Sequence, residues 1–184
     1  MSVAKNQGTN PSDFPTTHVL VLADTHVATI QQLPAKLSEL VGAADYVVHC
    51  GDYTSIKVVE ELGRLAKRFI GVYGNSDQPE VKEQLPREAT FEVGNKKVVV
   101  THPYFGGPPW GLEDELVERY PEADVILFGH THDRHCVTKN GKLLLNPGQG
   151  YPTFIHPMNV GILKVMPGGV EGRACSLDEA TLDK

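Results

Sequence analysis

Short runs made almost wholly of aliphatic and β-branched residues recur along this chain, separated early on by amphipathic stretches. Residues 18–23, 45–49 and 68–73 are such runs. Between them, residues 31–41 place Leu33, Leu37, Leu40 and Val41 at helical spacing, and residues 56–66 do the same with Ile56, Val59, Leu62, Leu65 and Ala66. An unbroken apolar run reads as a strand covered on both faces, and a helical stripe beside it as the cover. The opening is therefore β-α-β-α-β, with parallel strands joined by right-handed crossovers. The pattern then changes. Residues 88–93 and 96–101 form two strands about a Gly94-Asn95 turn, and a loop rich in proline, glycine and aromatics follows His102. Residues 112–119 predict a short amphipathic helix and 125–128 a strand. From Arg134 onward only strands are predicted, over 135–139, 142–145, 160–165 and 170–176, with turns at Asn140-Gly141, Asn146-Pro147-Gly148 and Gly168-Gly169. Residues 1–16 are polar and aperiodic, which predicts a flexible tail ahead of a single domain over 17–184; the polar end, 177–184, is expected to fray.

Composition narrows the function more than the fold. The formal net charge of -6 argues against a surface that tracks a nucleic-acid backbone, which needs clustered lysine and arginine. No apolar stretch approaches the ~20 residues that span a bilayer, and no apolar leader is visible at the N-terminus. Cys50, Cys136 and Cys175 are odd in number and far apart, so they are expected to be free thiols in a reducing cytoplasm. Cys50 reads as a small buried apolar residue at a strand end.

Five pieces carry the chemistry: Asp24-Thr25-His26, Gly51-Asp52, Gly74-Asn75, His102 and Gly129-His130-Thr131-His132. Each follows an apolar run. Ligands of open α/β sheets bind beyond the carboxyl ends of strands, so the pieces are expected to converge on one edge of one sheet. They supply two carboxylates, one amide oxygen and four imidazoles, enough to hold two metal ions. An aspartate can bridge two cations through its two oxygens, and the glycines are expected to take positive φ where the chain turns off a strand. A lone histidine such as His102 is more often an ordinary polar residue than a ligand. It is the whole set, in this order and each at a strand end, that points to metal.

That series resembles the signature of the calcineurin-like metallophosphoesterases. The chain length and the Asn146-Pro147-Gly148 loop resemble their small, single-domain bacterial and archaeal phosphodiesterases, over 18–176. The resemblance implies an α/β fold, a four-layer α-β-β-α sandwich with two sheets face to face. It implies that one ion takes Asp24, His26 and His132, that the other takes Asn75, His102 and His130, and that Asp52 bridges. It also implies hydrolysis of a small phosphodiester by a hydroxide held between the ions, with Asp52, Asn75, His102 and His130 as the catalytic residues. Two divalent ions, two aspartates and a hydroxide would leave the site at about +1 when the imidazoles are neutral, so an anionic diester is attracted. Mixed nitrogen and oxygen ligands suit manganese first, then iron, zinc or nickel, better than magnesium.

The sequence departs from the family pattern where substrate would be touched. Many members have a proton-donating histidine directly after the Gly-Asn pair; here Ser76 stands there, and a serine hydroxyl is too weak an acid for that role. A second histidine two residues after His102 is replaced by Tyr104, and a serine after Asn-Pro-Gly by Gln149. His49, Asp77 and Tyr104 are the remaining candidates to protonate a leaving group. His49 reads better as a hydrogen-bonded core residue than as a ligand, and His135 as polar packing. Tyr104, Phe105 and Trp110 are expected to wall the site, to cover the second sheet or to form a subunit contact, so homo-oligomers stay open. The alternative functions are a protein-interaction scaffold of the retromer-subunit type and a phosphomonoesterase. The complete ligand set favours the enzyme, with a small phosphodiester as partner, no stable nucleic-acid or membrane binding, and a cytoplasmic location.

Overall fold

Alternate residues of the first strand face two different cores. In the computed structural model, which describes residues 14–103 and 111–182, β1 (Thr17–Leu22) turns Leu20 and Leu22 toward a layer of helices and Val19 and Val21 toward a second sheet. That two-sided burial is why the strand reads as a continuous aliphatic run. Strands β2 (Tyr46–His49) and β3 (Phe69–Gly71) extend the sheet in parallel. Strands β9 (Asn159–Met166) and β10 (Gly169–Ser176) add antiparallel on its other side, giving the order β10-β9-β1-β2-β3. Helices α1 (Ala35–Ala43) and α2 (Ile56–Leu65) cover the outer face with Leu37, Leu40, Val41, Val58, Val59 and Leu62.

The second sheet runs β4-β5-β6-β8-β7, built from β4 (Glu88–Val93), β5 (Lys96–Thr101), β6 (Val125–Phe128), β7 (His135–Lys139) and β8 (Lys142–Asn146). Val98, Val100, Val125, Leu127 and Leu145 meet the first sheet, while Ile126, Phe128 and Leu144 meet helix α4 (Leu112–Arg119) through Leu116 and Val117. The result is the expected four-layer α-β-β-α sandwich. The five strands that lead into the five chemical pieces do not share one sheet, however. β1, β2 and β3 lie in the first and β5 and β6 in the second, so the pieces meet across the seam between two parallel cores.

Three local readings are corrected. The helix expected over 31–41 begins only after Pro34, because proline disfavours helical backbone at the residue before it; Leu33 is extended (φ -94°, ψ 158°) and a 3₁₀ turn, Ile30–Gln32, precedes it. A short helix, α3 (Pro79–Gln84), went unseen because it buries only Val81 and shows no periodicity, although proline opens it. The chain end does not fray at once: Leu177–Glu179 forms a 3₁₀ turn, and Leu177 and Ala180 are buried against the helical face of the first sheet. The proposed tail lies mostly outside the described residues; within it, Phe14 packs on Gly94 and the inter-sheet core. Tyr104, Phe105 and Trp110 also lie outside the described residues. Among the described residues, no helix is long and apolar enough to cross a membrane.

Candidate metal centre

All seven singled-out side chains come together. Asp24 and His26 leave the end of β1, Asp52 follows β2, Asn75 follows β3, His102 follows β5, and His130 and His132 follow β6. Ligand atoms of Asp24, His26 and His132 lie within 4.8 Å of one another, as do those of Asp24, Asp52 and His102. Asp52 Oδ2 is 3.7 Å from His26 Nε2 and 3.6 Å from His102 Nε2, so it stands between the two histidine pairs. His132 Nε2 is 3.5 Å from Asp24 Oδ1. On the other side, Asn75 Oδ1 lies 3.0 Å from His102 Nε2 and 2.9 Å from His130 Nδ1.

The loops reach this arrangement through left-handed backbone at the candidate ligands themselves. Asp24, His26, Asp52, His130 and His132 have φ between 45° and 84°. Non-glycine residues pay for that conformation, of order 1 kcal/mol or more each, so the surrounding contacts must enforce it. The expectation that the glycines carry the positive φ holds at Gly51 (φ 100°) but not at Gly74 or Gly129. Those two are needed for close approach. A Cβ on Gly74 would strike the Asp52 carboxylate, and one on Gly129 would lie 3.0 Å from Asp24 Oδ2.

Side chains beneath the centre hold the loops. Asp77, considered at first only as a proton donor, is buried, and its carboxylate accepts four backbone N–H groups. Oδ2 takes those of Asp52 (2.9 Å) and Gly74 (2.7 Å); Oδ1 takes those of Tyr53 (2.7 Å) and Thr54 (3.0 Å). It ties the β2 loop to the β3 loop and has no lone pair turned toward a substrate. Ser76 also faces inward, donating its Oγ–H to Asp52 Oδ2 (3.0 Å) and its N–H to Oδ1 (2.9 Å). His49 is buried and saturated: Nδ1 accepts from Gly51 N–H (3.2 Å), so Nε2–H donates to Thr25 Oγ1 (3.0 Å), and the ring stacks on Tyr53. Asn146 staples the β6 loop, with Nδ2 donating to Thr131 Oγ1 and Gly129 O, and Oδ1 accepting Gly148 N–H. Tyr151, unremarked in the sequence, sets its ring edge-on to His26 and His132.

Electrostatics supply a test of whether cations fit. Burial, together with the charges of Asp52 and Asp77, pushes the Asp24 carboxyl well above its ordinary value against the lowering effect of the His130 N–H. Among the described residues no lysine or arginine pairs with Asp24 or Asp52; the cationic partners within reach are imidazoles alone. His102 Nδ1 lies 2.7 Å from the Cys50 carbonyl, which accepts only, so Nδ1 carries the proton and Nε2 a lone pair. Burial lowers the His102 pKa against the raising effect of Asp52 and the Cys50 carbonyl, which favours the neutral ring. That lone pair points at Asn75 Oδ1, whose amide nitrogen is committed to Ser76 Oγ. Two acceptors 3.0 Å apart repel unless a cation lies between them. Uncompensated buried carboxylates and facing lone pairs are what a divalent ion would resolve, so the donor set fits one.

Known proteins resemble this chain in sequence and in fold. Residues 18–168 match the model of the calcineurin-like phosphoesterase superfamily domain. Over 130 residues the chain is 32% identical to a probable metallophosphoesterase of Methanocaldococcus jannaschii, covering 70% of this chain and 65% of that one, just under two thirds of the relative's length. It is 30% identical over 133 residues to a phosphodiesterase of the same archaeon, covering 64% of this chain and 74% of that protein. Among solved structures, vacuolar protein sorting 29 from Cryptosporidium parvum superposes with a TM-score of 0.69 at 26% identity, covering 82% of this chain and 86% of that one.

Proposed function

The chain belongs to the calcineurin-like phosphoesterase superfamily, and from that membership we propose that it is a metal-dependent phosphodiesterase, a hydrolase of small phosphodiesters working at a centre of two divalent cations within a single domain over 17–184. The observation that carries the reading is the meeting of all seven side chains around two buried aspartates that no lysine or arginine among the described residues neutralises. Asp24, His26 and His132 would hold one ion, Asn75, His102 and His130 the other, and Asp52 would contact both. When bound, such a pair activates water and neutralises charge on the phosphoryl oxygens. Manganese is the first choice.

The chain's own residues do the rest. The Cys50 carbonyl fixes the tautomer of His102, so its Nε2 is always the free atom toward the centre. Asp77 and Ser76 aim Asp52 from below. The described proton-donor candidates, Ser76, Asp77 and His49, are all committed to holding the loops. Diesters with good leaving groups should therefore be preferred. The diesterase of M. jannaschii supports the diester assignment. The net charge of -6 favours a small diester over a nucleic-acid strand, and three free cysteines accord with a reducing cytoplasm.

The likeness to vacuolar protein sorting 29 favours a second reading, a protein-binding scaffold. A scaffold needs neither the strained ligand loops nor the full donor set, and this chain has both. Turnover of bis-para-nitrophenyl phosphate separates the two. Manganese-loaded protein should hydrolyse it and chelator-treated protein should not; no turnover with any of manganese, iron, zinc or nickel would leave the scaffold.

A further inference from the structure

One cleft opens directly off the centre. It has a volume of about 280 Å³ and runs from His132 past Arg134, Gln149 and Asn159 to His156. Its floor is fixed by backbone bonds, from Gln149 N–H to His132 O (3.0 Å) and from Asn159 N–H to Gln149 O (2.9 Å). Its far end is closed by a tight turn in which Thr153 N–H donates to His156 O (2.8 Å) and His156 N–H to Thr153 Oγ1 (3.0 Å). Arg134 is clamped near its root, since a Cβ on Gly148 would come 2.9 Å from its Cγ and 3.0 Å from its N. Its guanidinium forms no hydrogen bond or close ion pair with a described residue, although its charge reaches Glu179 and Cys175. Asp133 stands on the ridge between this cleft and a neighbouring one lined by Leu112, Glu113 and His135.

A solvent-facing arginine needs no partner. This one differs in its place, in a cleft that a candidate metal ligand, His132, also lines, together with Asn159 and His156. These groups donate hydrogen bonds in a space that suits a short polar arm rather than a polymer. An arginine fork matches the geometry of a carboxylate or phosphate.

We propose that this cleft is a second anion subsite, which takes a carboxylate or phosphate carried on one arm of the phosphodiester while the diester itself lies at the metal centre. The substrate class is then a diester with an additional oxyanion on its non-leaving arm. The proposal rests on the phosphodiesterase reading, and Arg134 acts as a specificity residue for that reaction.

The test is calorimetric binding to the manganese-loaded full chain, which needs no turnover. The probes are ω-phosphonocarboxylates of graded spacer length, each paired with an alkylphosphonate of equal length. One spacer length should bind about tenfold more tightly than its alkyl partner, which is ~1.4 kcal/mol. Arg134→Ala should abolish that difference and leave the alkylphosphonate affinity within about twofold, while Arg134→Lys should retain part of it. The side chain is exposed, so these variants should fold. Equal binding of both series to the parent protein overturns the subsite alone, as does an equal loss for both in Arg134→Ala. Failure of every phosphonate to bind overturns the metal-centre reading along with it.

Discussion

Asp77→Asn is the substitution whose cost follows most directly from the structure. The change is nearly isosteric, so packing is preserved. What changes is the count of acceptors. The carboxylate accepts four backbone N–H groups at 2.7–3.0 Å, two on each oxygen, at a site 4% exposed. An asparagine keeps one oxygen and turns an NH₂ group toward two N–H donors, so two bonds are lost and replaced by donor–donor repulsion. Hydrogen bonds to a charged acceptor contribute ~1.5–3 kcal/mol each, so the loss should be about 3–6 kcal/mol. A domain of this size has roughly 5–15 kcal/mol to lose, so the variant should still fold. Urea denaturation in chelator reads the stability loss without the contribution of bound metal. Because the Asp77 carboxylate joins the loop of Asp52 to the Gly74-Asn75 turn, manganese affinity should fall at both positions, beyond what a remote substitution of equal destabilisation causes. A loss below about 1 kcal/mol, or unchanged metal affinity in the folded variant, would refute the reasoning.

Three further outcomes are expected. Asp52→Asn should weaken binding of both ions and lower turnover by about 10³-fold, which corresponds to roughly 4 kcal/mol, whereas His26→Ala should weaken chiefly one; metal titration followed by elemental analysis distinguishes them. Ser76→Ala removes a hydroxyl that points at Asp52 and not outward, so it should leave the slope of rate against leaving-group pKa unchanged across substituted aryl diesters; a steeper slope would make Ser76 a proton donor after all. Burial, aided by the charges of His102 and His26, lowers the pKa of His49 well below its ordinary value, so the unfolded chain takes up a proton there that the folded chain refuses. Stability of the metal-free protein should therefore hold above about pH 6.5 and decline below it, and His49→Gln should reduce that decline; identical pH profiles would contradict it.

How much was readable beforehand depended on whether the information lay in side-chain pattern or in backbone demand. Strands such as β1 and β6 are covered on both faces, so Val19 to Leu22 and Val125 to Phe128 announce themselves as apolar runs. The seven candidate ligands stood out because their residue types are unusual at strand ends. That they belong to two sheets was invisible to the run-by-run pattern, since a parallel strand looks the same in either sheet; the family resemblance implied two sheets without dividing the pieces between them. Asp77 and Asn146 were undervalued because their partners are backbone amides and carbonyls, which every residue has. One usable signal was an acidic residue three positions past Gly74, where a side chain can accept the N–H of its own turn. Tyr151 lies far in sequence from the ligands it adjoins, and Arg134, two residues past His132, follows no periodicity. Pro34 was a legible cue misjudged, and it moved the start of α1.

Anomalous diffraction at the manganese edge, from crystals grown with manganese, addresses the central claim most directly. Two peaks are expected, one ligated by Asp24, His26 and His132 and the other by Asn75, His102 and His130, with an oxygen of Asp52 on each. A single peak, or peaks that leave His102 and Asn75 unligated, would contradict the account.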